Sequence, residues 1–111
     1  MSEKTIAAQL GLRGAQAAVL DHIEGQGGTV HQSAHNIGKA IGYSMASANQ
    51  ALHRLRGQRL IWIDGYKRLS RLGQPVPVYR LNEPVITVLL NEQSGALGWK
   101  LAQAYAEESG T

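Results

Sequence analysis

Positively charged side chains are concentrated in the middle of this sequence of 111 residues. Residues 53–80 contain seven Arg or Lys and one acid, Asp64, for a net charge of +6, whereas residues 1–52 sum to zero and residues 81–111 to −3. Clustering of one sign influences the choice of partner more than the total charge does. The cluster favours a polyanion such as nucleic acid over an acidic membrane or protein surface. A basic face that is merely solvated has the same composition.

Side chains suited to catalysis or metal binding form no recognisable set. The chain has no cysteine, which excludes disulfides, thiol chemistry and cysteine-based zinc sites. His31 and His35 have a four-residue spacing that can hold a metal on a helix, but Ser33 between them is typical of a helix start. No Ser-His-Asp set or carboxylate pair is evident. The sequence therefore predicts no enzyme, no metal and no cofactor.

Three helices and a short strand are predicted ahead of the basic region. Apolar residues at helical spacing, followed by glycines, indicate the first helix, and "TVH" at 29–31 indicates a very short strand. Ser33 and Ser44 can cap the second and third helices, with Gly42 between them. The second helix is expected to place Ile37, Ala40 and Ile41 on one side.

The third predicted helix, about residues 44–56, has two different faces. At about 100° per residue, one face is apolar and must pack inward. The other face has small or hydrogen-bonding side chains and no acid. The inward residues are Met45, Ala48, Ala51, Leu52 and Leu55, and the outward residues are Ala46, Gln50 and His53, flanked by Asn49 and Arg54.

A hairpin, here called the arm (residues 61–81), is predicted after the third helix. "LIWID" and "PVPVYRL" are rich in β-branched and aromatic residues, and "GYKRLSRLGQ" between them contains Gly73, which could supply a positive φ near the tip. Pro75 and Pro77 lack N–H donors on the same strand edge, so one edge should stay free near the tip. Beyond the arm, "EPVITVLLNEQSG" fits a strand or a helix start, and "GALGWKLAQAYAEE" favours a helix.

This order of elements, and "IGKAIGYSMASANQALHRLRGQRLI" in particular, resembles the winged helix-turn-helix DNA-binding domain. The similarity covers residues 14–81 and is to prokaryotic and phage transcriptional regulators of the multiple-antibiotic-resistance-regulator-like kind. It implies a mainly α fold with a small antiparallel β-hairpin (α+β), flanked by an N-terminal extension (1–13) and a C-terminal extension (82–111) with an extra helix. Where the family often has Gly before the Leu-Ile pair, this chain has Arg59. The turn after the third helix is therefore expected to differ.

The resemblance implies binding of double-stranded DNA, with the third helix in the major groove and the wing (about 65–75) on the backbone or in the minor groove. Asn49 or Gln50 could pair with adenine, and Arg54 with guanine or phosphate. Arg56 and Arg59, near the end of the third helix, could contact DNA or could stabilise the helix dipole without touching a ligand, and the structural role is favoured. The full set of expected contacts is Ser44, Ala46, Ser47, Asn49, Gln50, His53 and Arg54 on the helix and Lys67, Arg68, Ser70, Arg71 and Gln74 on the wing.

Other functions remain open on the sequence alone. A winged helix can serve as a protein-interaction module in a replication, packaging or repair assembly. An RNA-binding adaptor is a third hypothesis. No apolar run reaches the length needed to cross a membrane and the start lacks a secretory signal, so the expected location is cytoplasmic. Leu97, Trp99, Leu101 and Tyr105 could form a homodimer contact or cover the domain's own core.

Overall fold

The chain folds into an α+β structure with five helices and one three-stranded antiparallel sheet among its described residues. This computed structural model describes residues 4–93. The elements are α1 (Ile6–Gln9), α2 (Gly14–Gly25), β1 (Thr29–His31), α3 (Ala34–Ile41), α4 (Met45–Gly57), β2 (Ile61–Arg68), β3 (Pro75–Leu81) and α5 (Glu83–Gln93). The α+β class and the predicted hairpin are confirmed. The expected helix and dimer contact around residues 97–105 lie outside the described residues.

The sheet has β3 at its centre, in the order β1-β3-β2. β2 pairs with β3 from Ile61↔Leu81 to Arg68↔Pro75. β1 pairs only with the C-terminal part of β3, ending at His31↔Val78. The half of β3 that contains Pro75 and Pro77 therefore keeps one edge free of β1, as predicted from the spacing of the two prolines.

Two glycines shape the arm, and only one of them in the predicted way. The register between β2 and β3 shifts between Ile63 and Tyr66, and Gly65 within this bulge has a φ of 92°. At the tip, the Gly73 N–H donates to the Ser70 carbonyl oxygen at 3.2 Å. The positive φ expected for Gly73 is wrong, because this turn places no left-handed residue there. A Cβ at residue 73 would lie 2.8 Å from Ser70 Oγ, a hydroxyl that can rotate away, so the turn does not strictly require glycine.

The core lies between the helices and the face of the sheet that carries Ile61, Tyr79 and Leu81. The predicted inward residues Ala48, Ala51, Leu52 and Leu55 are buried, but Met45 is 58% exposed. Met45 is the first residue of α4, and helix periodicity places it on the apolar side although most of its side chain is exposed. Ala40, predicted on the packed side of α3, is also exposed.

The core extends into both flanking segments. Ala7 of α1 and Ile86 of α5 are buried in the same cluster as the residues of α2 and α4. Glu24 Oε1 accepts a hydrogen bond from the Ile6 N–H at 2.9 Å, which ties the start of α1 to α2. Helix α1 has only four residues, too few for periodicity to reveal it.

The turn after α4 has a left-handed backbone at a residue that is not glycine. Arg59 has a φ of 62°, the only positive φ outside glycine in the described part of the chain. The Leu60 N–H donates to the Leu55 carbonyl oxygen at 3.0 Å and the Arg59 N–H to the Arg56 carbonyl oxygen at 3.0 Å. This is a Schellman motif, a helix ending in which glycine normally occupies the left-handed position.

Replacing Arg59 by Gly should therefore stabilise the protein. A non-glycine residue in this conformation costs about 1–2 kcal/mol, and the extra freedom of unfolded glycine offsets about half of that. We expect Arg59→Gly to raise the free energy of unfolding by about 0.5–1 kcal/mol in urea denaturation. Gln58→Gly is the matched control, since Gln58 has a φ of −84° and gains nothing from glycine. Equal stability of the two variants would contradict the prediction.

Candidate functional site

The outward side of α4 forms one wall of a concave surface of about 520 Å3, here called the α4 groove. Ser44 caps the helix by accepting a hydrogen bond from the Ser47 N–H at 3.1 Å, and it donates to Ser47 Oγ at 3.0 Å. Tyr79 of β3 contributes to the opposite wall. No acid lines the groove, whose residues are Ala46, Ser47, Asn49, Gln50, Leu52, His53, Arg56 and Tyr79.

Tyr79 connects the α4 groove to the base of the arm. Burial raises the pKa of the Tyr79 phenol, the Arg56 guanidinium opposes this increase, and Tyr66 adds to it. The phenol is therefore neutral at physiological pH and retains a proton that it can donate. Because Arg56 and Tyr66 both act on Tyr79, a residue of α4 and a residue of the arm lie close to the same ring.

A second, smaller concavity of about 160 Å3 adjoins the same helix, and we call it the α2–α4 cleft. Arg13, the residue before α2, faces Arg54 and Gln50 across it. Gln58 Nε2 donates to Gln16 Oε1 at 3.4 Å, a further polar contact between α2 and the end of α4. The cleft thus adds a cation from the predicted N-terminal extension to the surface formed by α4.

Arg13 was missed by sequence reasoning, as were Tyr79 and the position of Arg56 in the α4 groove. Arg13 lies far from α4 along the chain, and only the packing of α2 on α4 brings it near Arg54. Tyr79 was counted as a strand residue, and Arg56 was assigned to the helix dipole. A local pattern carries no signal for any of these three placements.

Almost all the basic residues in the middle of the chain lack an acidic partner. Asp64 is 2.7 Å from Arg80, and this is the ion pair found within residues 4–93. The remaining six cations are exposed and make no ion pair among the described residues. They are Arg54, Arg56, Arg59, Lys67, Arg68 and Arg71.

The expected contact residues fall into two groups. Ala46, Ser47, Asn49, Gln50 and His53 share the α4 groove, while Arg54 lines the α2–α4 cleft. The arm residues are exposed but line neither concavity: Lys67 and Arg68 end β2, and Ser70, Arg71 and Gln74 lie in the connection to β3. Ser44 is engaged as the helix cap, so its hydroxyl already has partners in the protein.

His31 holds the arm against the rest of the sheet. Its Nε2 lies 2.7 Å from the carbonyl oxygen of Lys67, which requires the N–H to be on Nε2 and to donate. Because β3 lies between β1 and β2, the imidazole must cross β3 to make this bond. His31 and His35 are not part of any group of three potential metal ligands among the described residues.

Comparisons with known proteins give no relative to compare with this site. No protein-family model matches the chain, and neither does any curated protein. No helix within residues 4–93 is both long and apolar enough to cross a membrane.

Proposed function

We propose that this protein is a winged helix-turn-helix protein that binds double-stranded DNA and acts as a transcriptional regulator. The observation that supports this most strongly is the pairing of an acid-free helix face with six exposed cations that make no ion pair among the described residues, on α4, on the arm and in the turn between them. DNA presents one negative charge for about every 1.7 Å of its axis, so a surface of this kind gains affinity by releasing counterions.

In this proposal α4 enters the major groove. Ala46 is small enough to let the helix approach the base edges, and Asn49 and Gln50 can each form paired hydrogen bonds with adenine. The side chains of Asn49 and Gln50 make no hydrogen bond in the described part of the protein, so both are free to bind a base. Arg54 and Arg13, on either side of the α2–α4 cleft, would hold one phosphate of the backbone.

The arm then contacts the backbone or the minor groove. Lys67, Arg68 and Arg71 supply charge without any acid between residues 65 and 82 to reduce it. Phosphate contacts fix the position of a protein on DNA without reading sequence. The hydrogen bond from His31 to the Lys67 carbonyl oxygen limits the directions that the arm can take.

The test is fluorescence anisotropy on mixed-sequence duplex DNA across a salt series. The slope of log affinity against log salt should become shallower by about 1.8 in Arg68→Ala/Arg71→Ala, since each lost phosphate contact removes about 0.9. Lys4→Ala/Lys39→Ala is the control with the same loss of net charge. Both residues are exposed, lie outside the arm and line neither the α4 groove nor the α2–α4 cleft.

The control should keep the wild-type slope. If a folded wild-type protein does not bind duplex DNA even at low salt, the proposed function is wrong. Tighter binding to structured RNA than to DNA would favour the RNA adaptor instead, because a helix fits the deep major groove of A-form RNA poorly. The homodimer remains a separate prediction, which a monomer mass in light scattering would contradict.

A protein-interaction module is the second candidate, and Trp62 is the observation that favours it. Trp62 is 45% exposed and lines a concave surface of about 430 Å3 on the other face of the sheet, together with Arg80 and Pro84. Exposed tryptophan is enriched where proteins bind one another. This candidate would be favoured over the first if the wild type does not bind DNA but binds a protein partner, and if Trp62→Ala loses that binding.

A further inference from the structure

The arm tip, residues 69–74, carries two leucines that nothing in the described structure covers. Leu72 is 95% exposed and Leu69 is 58% exposed, and Leu72 is the most exposed of the large apolar side chains described. Single exposed apolar residues are common on protein surfaces. Two of them in one short turn, among cations, need a different explanation.

The turn geometry puts a leucine and an arginine at the apex. The Gly73 N–H donates to the Ser70 carbonyl oxygen, which makes Arg71 and Leu72 the two corner residues of a four-residue turn. The residues of β3 that precede Val78, on the side of the tip, do not pair with β1, so the tip extends past the third strand of the sheet. The apex is therefore an apolar point with cations beside it, at Lys67, Arg68 and Arg71.

We propose that Leu72, supported by Leu69, is a wedge that enters a base step from the minor groove of duplex DNA and bends the duplex. This rests on the proposed function and extends it, from holding DNA to deforming it. Proteins that bend DNA through the minor groove insert side chains such as Leu between base pairs and unstack them partially. The neighbouring cations bring the leucine to the groove, because they attract the phosphates on both of its edges.

Charge complementarity favours DNA over a membrane as the partner of this tip. Two leucines offer little apolar surface for a bilayer, where even a whole myristoyl chain gives only marginal binding. A base step needs only one inserted side chain. Flexible pyrimidine–purine steps, such as TA, are the expected positions of the wedge because they are the easiest to unstack.

The test uses the full chain on duplexes that contain TA steps, with 2-aminopurine as a reporter of unstacking and end-labelled dyes as a reporter of bending. The wild type should increase the 2-aminopurine fluorescence and shorten the end-to-end distance. Leu69→Ala/Leu72→Ala should lose both signals and bind about tenfold more weakly, with an unchanged salt slope because no charge is removed. Leu69→Met/Leu72→Met is the matched control and should keep both signals, since Met is also an inserting residue.

The possible failures are distinguishable. If the wild type binds DNA with the expected salt dependence but neither reporter responds, the wedge is wrong and the proposed function stands. If the wild type does not bind DNA, both are wrong. If vesicles of phosphatidylcholine and phosphatidylserine bind the wild type but not the alanine variant, while DNA binding is the same for both, the leucines serve a membrane and the wedge is likewise overturned.

Discussion

Gly38→Ala should destabilise the protein by about 1–2 kcal/mol, although alanine is the better helix former by about 1 kcal/mol. Gly38 is buried in α3 where the turn into α4 passes over it. A Cβ there would lie 2.8 Å from the Tyr43 carbonyl oxygen and 3.2 Å from that of Ser44. Both are backbone atoms, so no side-chain rotation can relieve the overlap. The overlap therefore outweighs the gain in helix propensity.

Thermal unfolding measures this effect, with Gly25→Ala as the matched control. Gly25 is also helical, has no positive φ and has nothing within 4 Å of an added Cβ. That variant should rise in melting temperature, because only the helix propensity changes. Gly38→Ala should fall by about 4–15 °C, the shift that this loss of free energy produces in a domain of this size. If both variants rose together, the close approach of α3 and the α4 turn would be contradicted.

The same residue shows why α4 has a fixed position relative to α3. The Tyr43 N–H donates to the Gly38 carbonyl oxygen at 2.9 Å, and Gly42 takes a φ of 78° to end α3. A turn of two residues, Tyr43 and Ser44, then leads into α4. With so few free dihedral angles between the helices, the direction of α4 follows from that of α3. The outward side chains of α4 are therefore presented by a rigid unit.

Periodicity predicts which way a side chain points but not what covers it. The spacing of Ala48, Leu52 and Leu55 was enough to find the buried face of α4, because the helix repeat fixes their common side. The same repeat put Met45 on that side, but its side chain is 58% exposed while Ala48, one turn further along, is fully buried. Exposure at the end of an element depends on tertiary neighbours, which a local pattern does not contain.

The candidate site was predictable in part for the same reason. Asn49, Gln50 and His53 could be grouped from the sequence because they share one helix face. Arg13 could not be added to them, since its proximity to Arg54 depends on how α2 packs on α4. Strand β1 was likewise predicted from the sequence as a short segment. Its pairing with the C-terminal part of β3 could be seen only in the structure.

Asn49→Ala/Gln50→Ala should abolish most of the discrimination between DNA sequences, while the electrostatic part of the binding affinity should stay unchanged. Each paired hydrogen-bond contact with a base contributes about 1–3 kcal/mol of discrimination, so losing two should reduce the affinity ratio at least about thirtyfold. Neither side chain is charged, so the salt slope should not change. Unfolding does not explain such a loss, because alanine is favoured over asparagine and glutamine in a helix.

The measurement starts by selecting a preferred duplex from a random pool with the wild type, and then compares its affinity with that of a scrambled duplex. Gln26→Ala/Thr87→Ala is the control, since both residues are exposed and line neither the α4 groove nor the α2–α4 cleft. This result and the one expected for the arm variant Arg68→Ala/Arg71→Ala are opposites: one loses sequence preference and the other loses salt dependence. If the variant keeps the preference of the wild type, DNA is recognised by something other than this face of α4, and the deformation proposed for the arm tip becomes the first alternative to test.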